Sequence, residues 1–520
     1  LIIYELNKVL IRKEVIMSYS PKLSTTFTNT KLRTPDNICD LSGMCSVCSD
    51  KCTGLCEIGL SAIRGSEVAY PYGTTNQQFA SEKKYPFDFS HFNINGRVFG
   101  AIGAAEDAEQ TNVHTADISY EIGYENKIKL KAPIILPAMA KLNWEDYYSG
   151  AAMAGVMVVI GESAINKDLD LKHESNGKVA HAPILGKMID CFRRFEKGYG
   201  DIALQVNADD IVVGTAEYAL KNFNLKTIEI KFGQAAKGIQ HVVPVYSYDE
   251  AISLKNKGCI VFPNPFEDGI KEKFEQENGF HFMQYGRLPM WNESILEELV
   301  KKYRALGAEN ILFKMAGYDI GDIRRVLEIA SKNKIALVTF DGAGGGTGHS
   351  PCKMMNEWSH PTINLEKIVN TILEDLKKEE EWIPEIAIAG GIAMEDTMFK
   401  AIALGAPNIK MVGIGRGAMA AAMSGKNMGE LIMKNKIPKT HLVFGDKADT
   451  IFKEAKYIKS IYNEDDKPIS YGAIGLYSYI NRLSFGMKLL MTLNRKFSLK
   501  YIDQSDVIPL TKEAREYLSD

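Results

Sequence analysis

Ile335-Ala336-Leu337-Val338-Thr339-Phe340 runs directly into Asp341-Gly342-Ala343-Gly344-Gly345-Gly346-Thr347-Gly348-His349-Ser350-Pro351. The first part is a short apolar run of the kind that forms a buried strand. The second is a glycine-rich loop, and glycines in that number let the backbone pass close to a ligand where any Cβ would collide. Thr347, Ser350 and the freed amides offer hydrogen bonds to an anion or a heteroaromatic ring. A strand that ends in a ligand loop is one unit of a repeating design, and the chain on both sides repeats it.

Upstream, apolar strand-like runs stand at 133–137, 156–160, 202–206, 227–231 and 310–315; downstream they stand at 385–389 and 409–414. With 335–340 the runs number eight. Helical periods fill several intervals: Ile295, Leu296, Leu299, Val300 and Tyr303 form one stripe, and Ile323, Val326, Leu327 and Ile329 another. Short apolar strands separated by helices pair in parallel with both faces covered. Eight such units predict an α/β fold, a (β/α)8 TIM barrel whose functional face lies at the C-terminal ends of the strands. The polar, turn-rich stretch 238–290 predicts a long loop extended over that face, and a helix is expected around 474–495 in the tail.

The strand ends carry the chemistry. The first delivers Ala138 and Met139, small or flexible groups that suit a flat ring against the backbone. The fourth delivers Lys231, followed by Gln234 and Lys237. The fifth carries Lys314, a charge on an otherwise apolar strand, which is costly to bury without a partner. Two readings of Lys314 stand: pairing with a carboxylate, or a cation beside the edge of a bound ring. Gly390 and Gly391 follow the seventh strand, and Gly413, Gly415 and Arg416 the eighth, where a barrel usually holds a phosphate on amides and a helix N-terminus. Arg416 reads either as a phosphate clamp or as a solvated helix-start residue. Gly413-x-Gly415-x-x-Ala418 imitates a dinucleotide fingerprint, but a helical Ala- and Met-rich run follows in place of a strand ending in an acid, so that reading fails.

The totals are those of an ordinary globular chain: 520 residues, 45% hydrophobic, 24% charged, net charge −3. That charge gives no electrostatic case for nucleic acid or an anionic membrane, and no apolar run is long enough to span a bilayer. A cytoplasmic location is the expectation. The natural start is expected at Met17, with 1–16 upstream of it, and 1–38 reads as an arm. Cys39, Cys45, Cys48, Cys52 and Cys56 then crowd into a glycine-punctuated segment. Clustered thiolates in a reducing compartment are soft metal ligands. The spacing is too compact for two zinc knuckles and no histidine interleaves it, which favours an iron–sulfur cluster, of 4Fe–4S type, over zinc. Four ligands from five candidates leave one spare, and Cys39 is the extra by spacing. The expected division is thus an arm, a cysteine-rich lead-in over 39–130, a barrel over 131–430 and a helical extension over 431–520.

The order D-G-x-x-G-G-T-G-x-S-P, together with IEIKFGQAAKG, the strand bearing Lys314, AIAGGIAMEDTMFKAIALGA and VGIGRGA, resembles the FMN-binding domain of the glutamate synthase family over roughly 130–430. The resemblance implies an FMN-containing barrel. It implies Ala138, Met139 and Gln234 near the isoalloxazine, with Lys314 at its N1 side and Asp341, Gly345, Gly346 and Thr347 in the flavin loop. Gly390, Gly391, Gly413, Gly415 and Arg416 would hold the phosphate, and Lys231 and Lys237 would serve a dicarboxylate. Four departures matter. Gly344 stands where the family usually has an acid, and His349 where it has a small residue. No cysteine lies in 420–426, where large glutamate synthases have a cluster motif, and no glutaminase domain is present.

The implied activity is reduction of 2-iminoglutarate, formed from 2-oxoglutarate and ammonia, to L-glutamate. A ferredoxin or reductase subunit is the implied electron donor, and a separate glutaminase subunit a possible ammonia source. His349 reads as a general acid for imine protonation, or as a loop residue bonded to its own backbone. The alternatives are a related FMN barrel acting on another 2-oxo, 2-hydroxy or amino acid, and an electron-transfer subunit of a larger complex.

Overall fold

The computed structural model describes residues 62–63, 85, 87–139, 143–232, 242–343, 345, 358–462 and 468–519. Eight parallel strands close a barrel: β1 Ile134–Met139, β2 Met157–Ile160, β3 Asp201–Val206, β4 Thr227–Lys231, β5 Asn310–Ala316, β6 Leu337–Asp341, β7 Glu385–Ala389 and β8 Ile409–Gly413. Each strand pairs with the next in sequence, and β8 closes on β1 through Val412 opposite Ile134. All eight coincide with the apolar runs of the sequence, within a few residues at their ends.

Every strand has two buried faces, which is why none alternates simply between apolar and polar. Ile202, Leu204 and Val206 of β3 face the surrounding helices, while Ala203 and Gln205 face the barrel interior. The helices are α1 Trp144–Ala154, α2 Pro183–Arg193, α3 Thr215–Phe223, α4 Glu293–Ala305, α5 Ile320–Lys332, α6 Thr362–Leu376, α7 Glu395–Leu404 and α8 Arg416–Met433. Asn292 caps α4 by accepting from the Ile295 amide at 2.9 Å, and Asp319 caps α5 through the Gly321 amide at 2.8 Å. The α5 stripe is buried as its period predicts. In the α4 stripe Ile295 is an exception: it lies in the first turn and is exposed, whereas Leu296, Leu299, Val300 and Tyr303 are buried.

The interior is layered. Ile135, Met157, Val159, Ala203, Leu312, Leu337, Ala387 and Met411 make an apolar plug. An antiparallel hairpin, Tyr120–Ile122 with Ile128–Leu130, adds Ile122, Ile128 and Leu130 to that plug. Its Tyr120 hydroxyl donates to Glu385, the first residue of β7, and Asn310, the first of β5, donates to the Asn126 carbonyl at 3.2 Å. The hairpin therefore closes the N-terminal end of the barrel.

Two further elements frame the barrel. The stretch expected to be a long loop contains a small subdomain. Val242–Val245, Ile260–Phe262 and Phe282–Tyr285 form an antiparallel sheet in the order first, third, second. Its own core is Val245, Ala251, Val261 and Phe282. The subdomain springs from the end of β4, and Arg287 at its exit binds Asp209 beyond β3, so it sits beside the C-terminal end. The tail supplies helix α9, Tyr471–Leu493, capped by Ser470. It packs on α1 and α8, where Gly425 and Gly475 let two backbones approach: a Cβ on Gly475 would lie 2.8 Å from the Ala421 carbonyl. Phe92–Ile94 pairs with Val507–Pro509, tying the two ends of the described chain together. Among the described residues no helix is long and apolar enough to cross a membrane.

Candidate functional site

Above the apolar plug, the interior positions of four consecutive strands turn polar. β3 contributes Gln205, β4 Glu229 and Lys231, β5 Lys314, and β6 Thr339 and Asp341; all are buried. They lie in register: Gln205 opposite Glu229, Lys231 opposite Lys314, and Lys314 opposite Thr339. Lys314 Nζ donates to Asp341 Oδ1 at 2.9 Å, and Gln205 Nε2 to Glu229 Oε1 at 2.5 Å. Lys231 Nζ reaches across β3 to Glu162, just beyond β2, at 2.8 Å.

This half of the mouth carries three carboxylates and two ammonium groups in a confined space. Burial holds the Glu229 carboxyl above its usual range, opposed by Lys314, the Gln205 bond and Lys231. Burial likewise raises Glu162, opposed chiefly by the Lys231 ammonium bonded to it. One Glu162 oxygen, Oε2, is buried without a hydrogen-bond partner among the described residues, and so is the Thr339 hydroxyl. Buried polar atoms without partners cost stability unless something fills the gap. Asp210 lies behind this half. It accepts from the Ser163 amide at 2.9 Å and the Asn207 amide at 3.3 Å, and burial pushes its carboxyl up to about 7.

The opposite half of the mouth has small side chains. β7 ends in Ala389-Gly390-Gly391, β8 in Gly413, and β1 passes through Pro137, Ala138 and Met139. Gly390 and Gly391 have φ of 124° and 81°, a region that favours glycine. A Cβ on Gly390 would lie 2.6 Å from the Thr362 hydroxyl, which donates to the Gly390 carbonyl at 2.9 Å. A Cβ on Gly391 would meet nothing within 4 Å, so its surroundings are open. Gly415 is the N-cap of α8, and Arg416 stands exposed at that helix's first position.

The structure thus brings Ala138, Met139, Lys231, Lys314, Asp341, Gly345, Gly390, Gly391, Gly413, Gly415 and Arg416 to one end of the barrel. Lys314 is paired with the Asp341 carboxylate. Gln234, Lys237, Gly346, Thr347, His349 and the cysteines at 39, 45, 48, 52 and 56 lie outside the described residues. Among the described residues no cluster of His, Cys, Asp and Glu has the form of a metal site. Sequence reasoning missed Glu162, Glu229, Gln205 and Thr339. Glu229 was findable, because an acid within Thr227-Ile228-Glu229-Ile230 is the same anomaly that singled out Lys314. Glu162 lies beyond its strand and carries no such signal.

Residues 289–428 match a family model described as the conserved region in glutamate synthase. No curated protein matches the sequence. Among solved structures, the chain is similar to the flavin-binding domain of baker's yeast flavocytochrome b2, with 14% identity, 82% of this chain and 78% of that chain covered, and a TM-score of 0.43. A mandelate oxidase variant with an FMN adduct gives 12%, 80%, 87% and 0.42. A chimera of (S)-mandelate dehydrogenase gives 11%, 81%, 88% and 0.43.

Proposed function

From the premise that residues 289–428 carry the conserved region in glutamate synthase, we propose that this barrel is an FMN-dependent oxidoreductase of glutamate synthase type. Its reaction is reduction of 2-iminoglutarate, derived from 2-oxoglutarate and ammonia, to L-glutamate. The carrying observation is the division of the mouth into two halves. Buried Lys231 and Lys314 stand in register on one side, and a wall of Ala389, Gly390, Gly391 and Gly413 stands on the other.

The residues present fit a flavin. The open space at Gly391 and the start of α8 at Gly415 suit a phosphate received on amides at a helix N-terminus. The wall of small residues leaves room for a flat ring, and the unpartnered Thr339 hydroxyl beside Lys314 is a donor or acceptor in waiting. Bound FMN supplies two-electron chemistry between a donor and the imine carbon. The chain's own residues bind and orient. Lys314, anchored by Asp341, sets positive charge at the floor of the mouth. Lys231 is the cation for a substrate carboxylate, which would take the place of Glu162 on its ammonium. Lys237 is assigned the second carboxylate and His349 the imine proton. The cysteine run at 39–56 is assigned an iron–sulfur cluster, and the electron donor a ferredoxin or reductase partner.

The test is an absorption spectrum of anaerobically purified protein before and after dithionite, with iron and sulfide assays, followed by turnover of 2-oxoglutarate plus ammonium with a reduced one-electron donor. Flavin bands with glutamate formation support the reading. Flavin without turnover on any 2-oxo acid leaves an electron-transfer subunit, and a protein that binds no flavin after reconstitution sinks the proposal.

A further inference from the structure

Helix α9 has two apolar stripes where a surface helix ordinarily has one. Leu476, Ile480, Leu483, Met487 and Met491 are buried in the core that includes α1 and α8. Phe485, Leu489 and Leu493, at i, i+4 and i+8, form a second stripe that faces outward, 48%, 43% and 57% exposed. Beside its last turn runs the segment around Val98 and Phe99, which are 77% and 90% exposed. That segment is fixed in place. The Arg97 amide donates to the Leu493 carbonyl at 3.0 Å, Ile102 to Arg495 at 2.8 Å, and Phe497 back to Ile102 at 2.9 Å. An ordered backbone therefore holds a bare phenylalanine in water.

Immediately next to Phe99 is a groove of about 440 Å³ whose apolar lining is Ile94, Val98, Leu490 and Leu493, with Asn95, Gly96 and Arg97 completing the wall. The one charge in its wall, Arg97, is already paired with Asp506 and the Ser505 hydroxyl. One surface thus offers both an apolar knob, Phe99, and a mainly apolar hole whose one charged lining residue, Arg97, is paired. Those are the requirements of a self-complementary contact across a two-fold axis, where each copy gives what the other receives. The size is consistent as well. With an aromatic side chain worth roughly 200 Å², the exposed parts of these side chains and Ile102 sum to the order of 600 Å². That reaches the upper end of the largest patch on a typical monomer and approaches the ~800 Å² per partner of a standard interface.

We propose that this face is the contact surface of a two-fold dimer of this chain, in which Phe99 of each copy enters the groove beside Leu493 of the other. The inference is independent of the chemistry assigned to the barrel mouth.

Sedimentation velocity and light scattering of the full chain, from sub-micromolar to tens of micromolar, test it. The expected result is a species of twice the chain mass that dissociates on dilution. Phe99→Asp and Leu489→Lys should each weaken the dimer at least about tenfold, the effect of one lost contact of 1.4 kcal/mol or more. The far-ultraviolet spectrum should stay unchanged, because Phe99 packs on almost nothing within its own chain. Leu442→Asp, in a separate exposed apolar turn, should leave the dimer intact. A monomer at the highest concentration overturns the proposal. So does a dimer that survives both substitutions, or one that only Leu442→Asp disrupts. A monomer that co-sediments with phosphatidylcholine–phosphatidylglycerol vesicles would assign the face to a lipid surface and overturn it equally.

Discussion

Lys314 and Asp341 form a buried ion pair at 2.9 Å between neighbouring strands at the mouth of the barrel. Asp341 is the residue that opens the glycine-rich loop, so the cation on β5 and the start of the ligand loop on β6 are one unit. Removing one partner from such a pair strands the other charge in a low-dielectric site, typically at a cost of about 3–5 kcal/mol. Lys314→Met alone should therefore destabilise the protein severely. Lys314→Met combined with Asp341→Leu should recover part of the loss, because the second change removes the carboxylate bonded to Lys314 while Glu229 still faces the gap. Denaturant unfolding of the three variants measures the coupling, and additive losses would refute it.

Glu162 competes with substrate for Lys231 if the proposed function holds. A charge-assisted hydrogen bond is worth about 1.5–3 kcal/mol, so Lys231→Met should raise the KM for 2-oxoglutarate roughly 10- to 100-fold. Glu162→Gln should lower it several-fold. Because burial raises the Glu162 carboxyl, lowering the pH protonates it while the substrate carboxylates stay charged, which frees Lys231. The wild-type KM should then fall as pH falls toward that raised value, and the Glu162→Gln profile should lose this component. Parallel profiles would remove Glu162 from substrate exchange.

Gly390→Ala introduces a Cβ at 2.6 Å from the Thr362 hydroxyl and at a φ of 124° that alanine rarely adopts. The strain is of the order of 1–3 kcal/mol, and it falls on the hydrogen bond that holds this loop to the start of α6. Flavin affinity, read by fluorescence titration of the reconstituted protein, should drop at least several-fold. Gly391→Ala meets no neighbour, so its effect should come from the backbone and be the smaller of the two on stability. A larger melting loss in Gly391→Ala would contradict the geometry.

Glu366 on α6 is fully buried, and neither carboxyl oxygen has a hydrogen-bond partner among the described residues. Burial holds its carboxyl well above the ordinary 4.5. The folded state therefore keeps a proton that the unfolded chain releases once pH exceeds 4.5. That contribution is fully present below the unfolded value, and stability declines as pH rises from there through the folded value. Glu366→Gln, which cannot titrate, should melt increasingly above wild type as pH rises from mildly acidic to mildly alkaline. Glu366→Leu should be more stable than wild type by a few degrees near neutral pH. A melting difference between wild type and Glu366→Gln that does not change with pH would show that this group does not set the dependence.

What the sequence determined by itself is the barrel. Eight short apolar runs, each buried on both faces and separated by helical periods, have few ways to satisfy their backbone groups, and a closed parallel sheet is one of them. The positions of Lys314, Gly390, Gly391 and Gly415 followed, because strand ends are fixed once the strands are. The hairpin that plugs the opposite end was not legible, since Tyr120, Ile122, Ile128 and Leu130 sit in a short, mixed segment whose burial depends on where the barrel interior lies. The subdomain after β4 was legible only as a long insertion, because its sheet is stabilised by a local core around Phe282.

Only the tertiary structure decided which charges meet. Glu162 and Lys231 lie 69 positions apart in the chain, and Lys314 and Asp341 27 apart. Nothing in local spacing selects those partners over the many other lysines and acids. Barrel closure does, because it sets interior side chains of neighbouring strands at fixed heights and leaves each buried ammonium only one or two carboxylates within reach. The exposed stripe of α9 was decided the same way. Phe485, Leu489 and Leu493 read in the sequence as part of an apolar helix, and only the packing of its other stripe against the core shows which side is left without a partner.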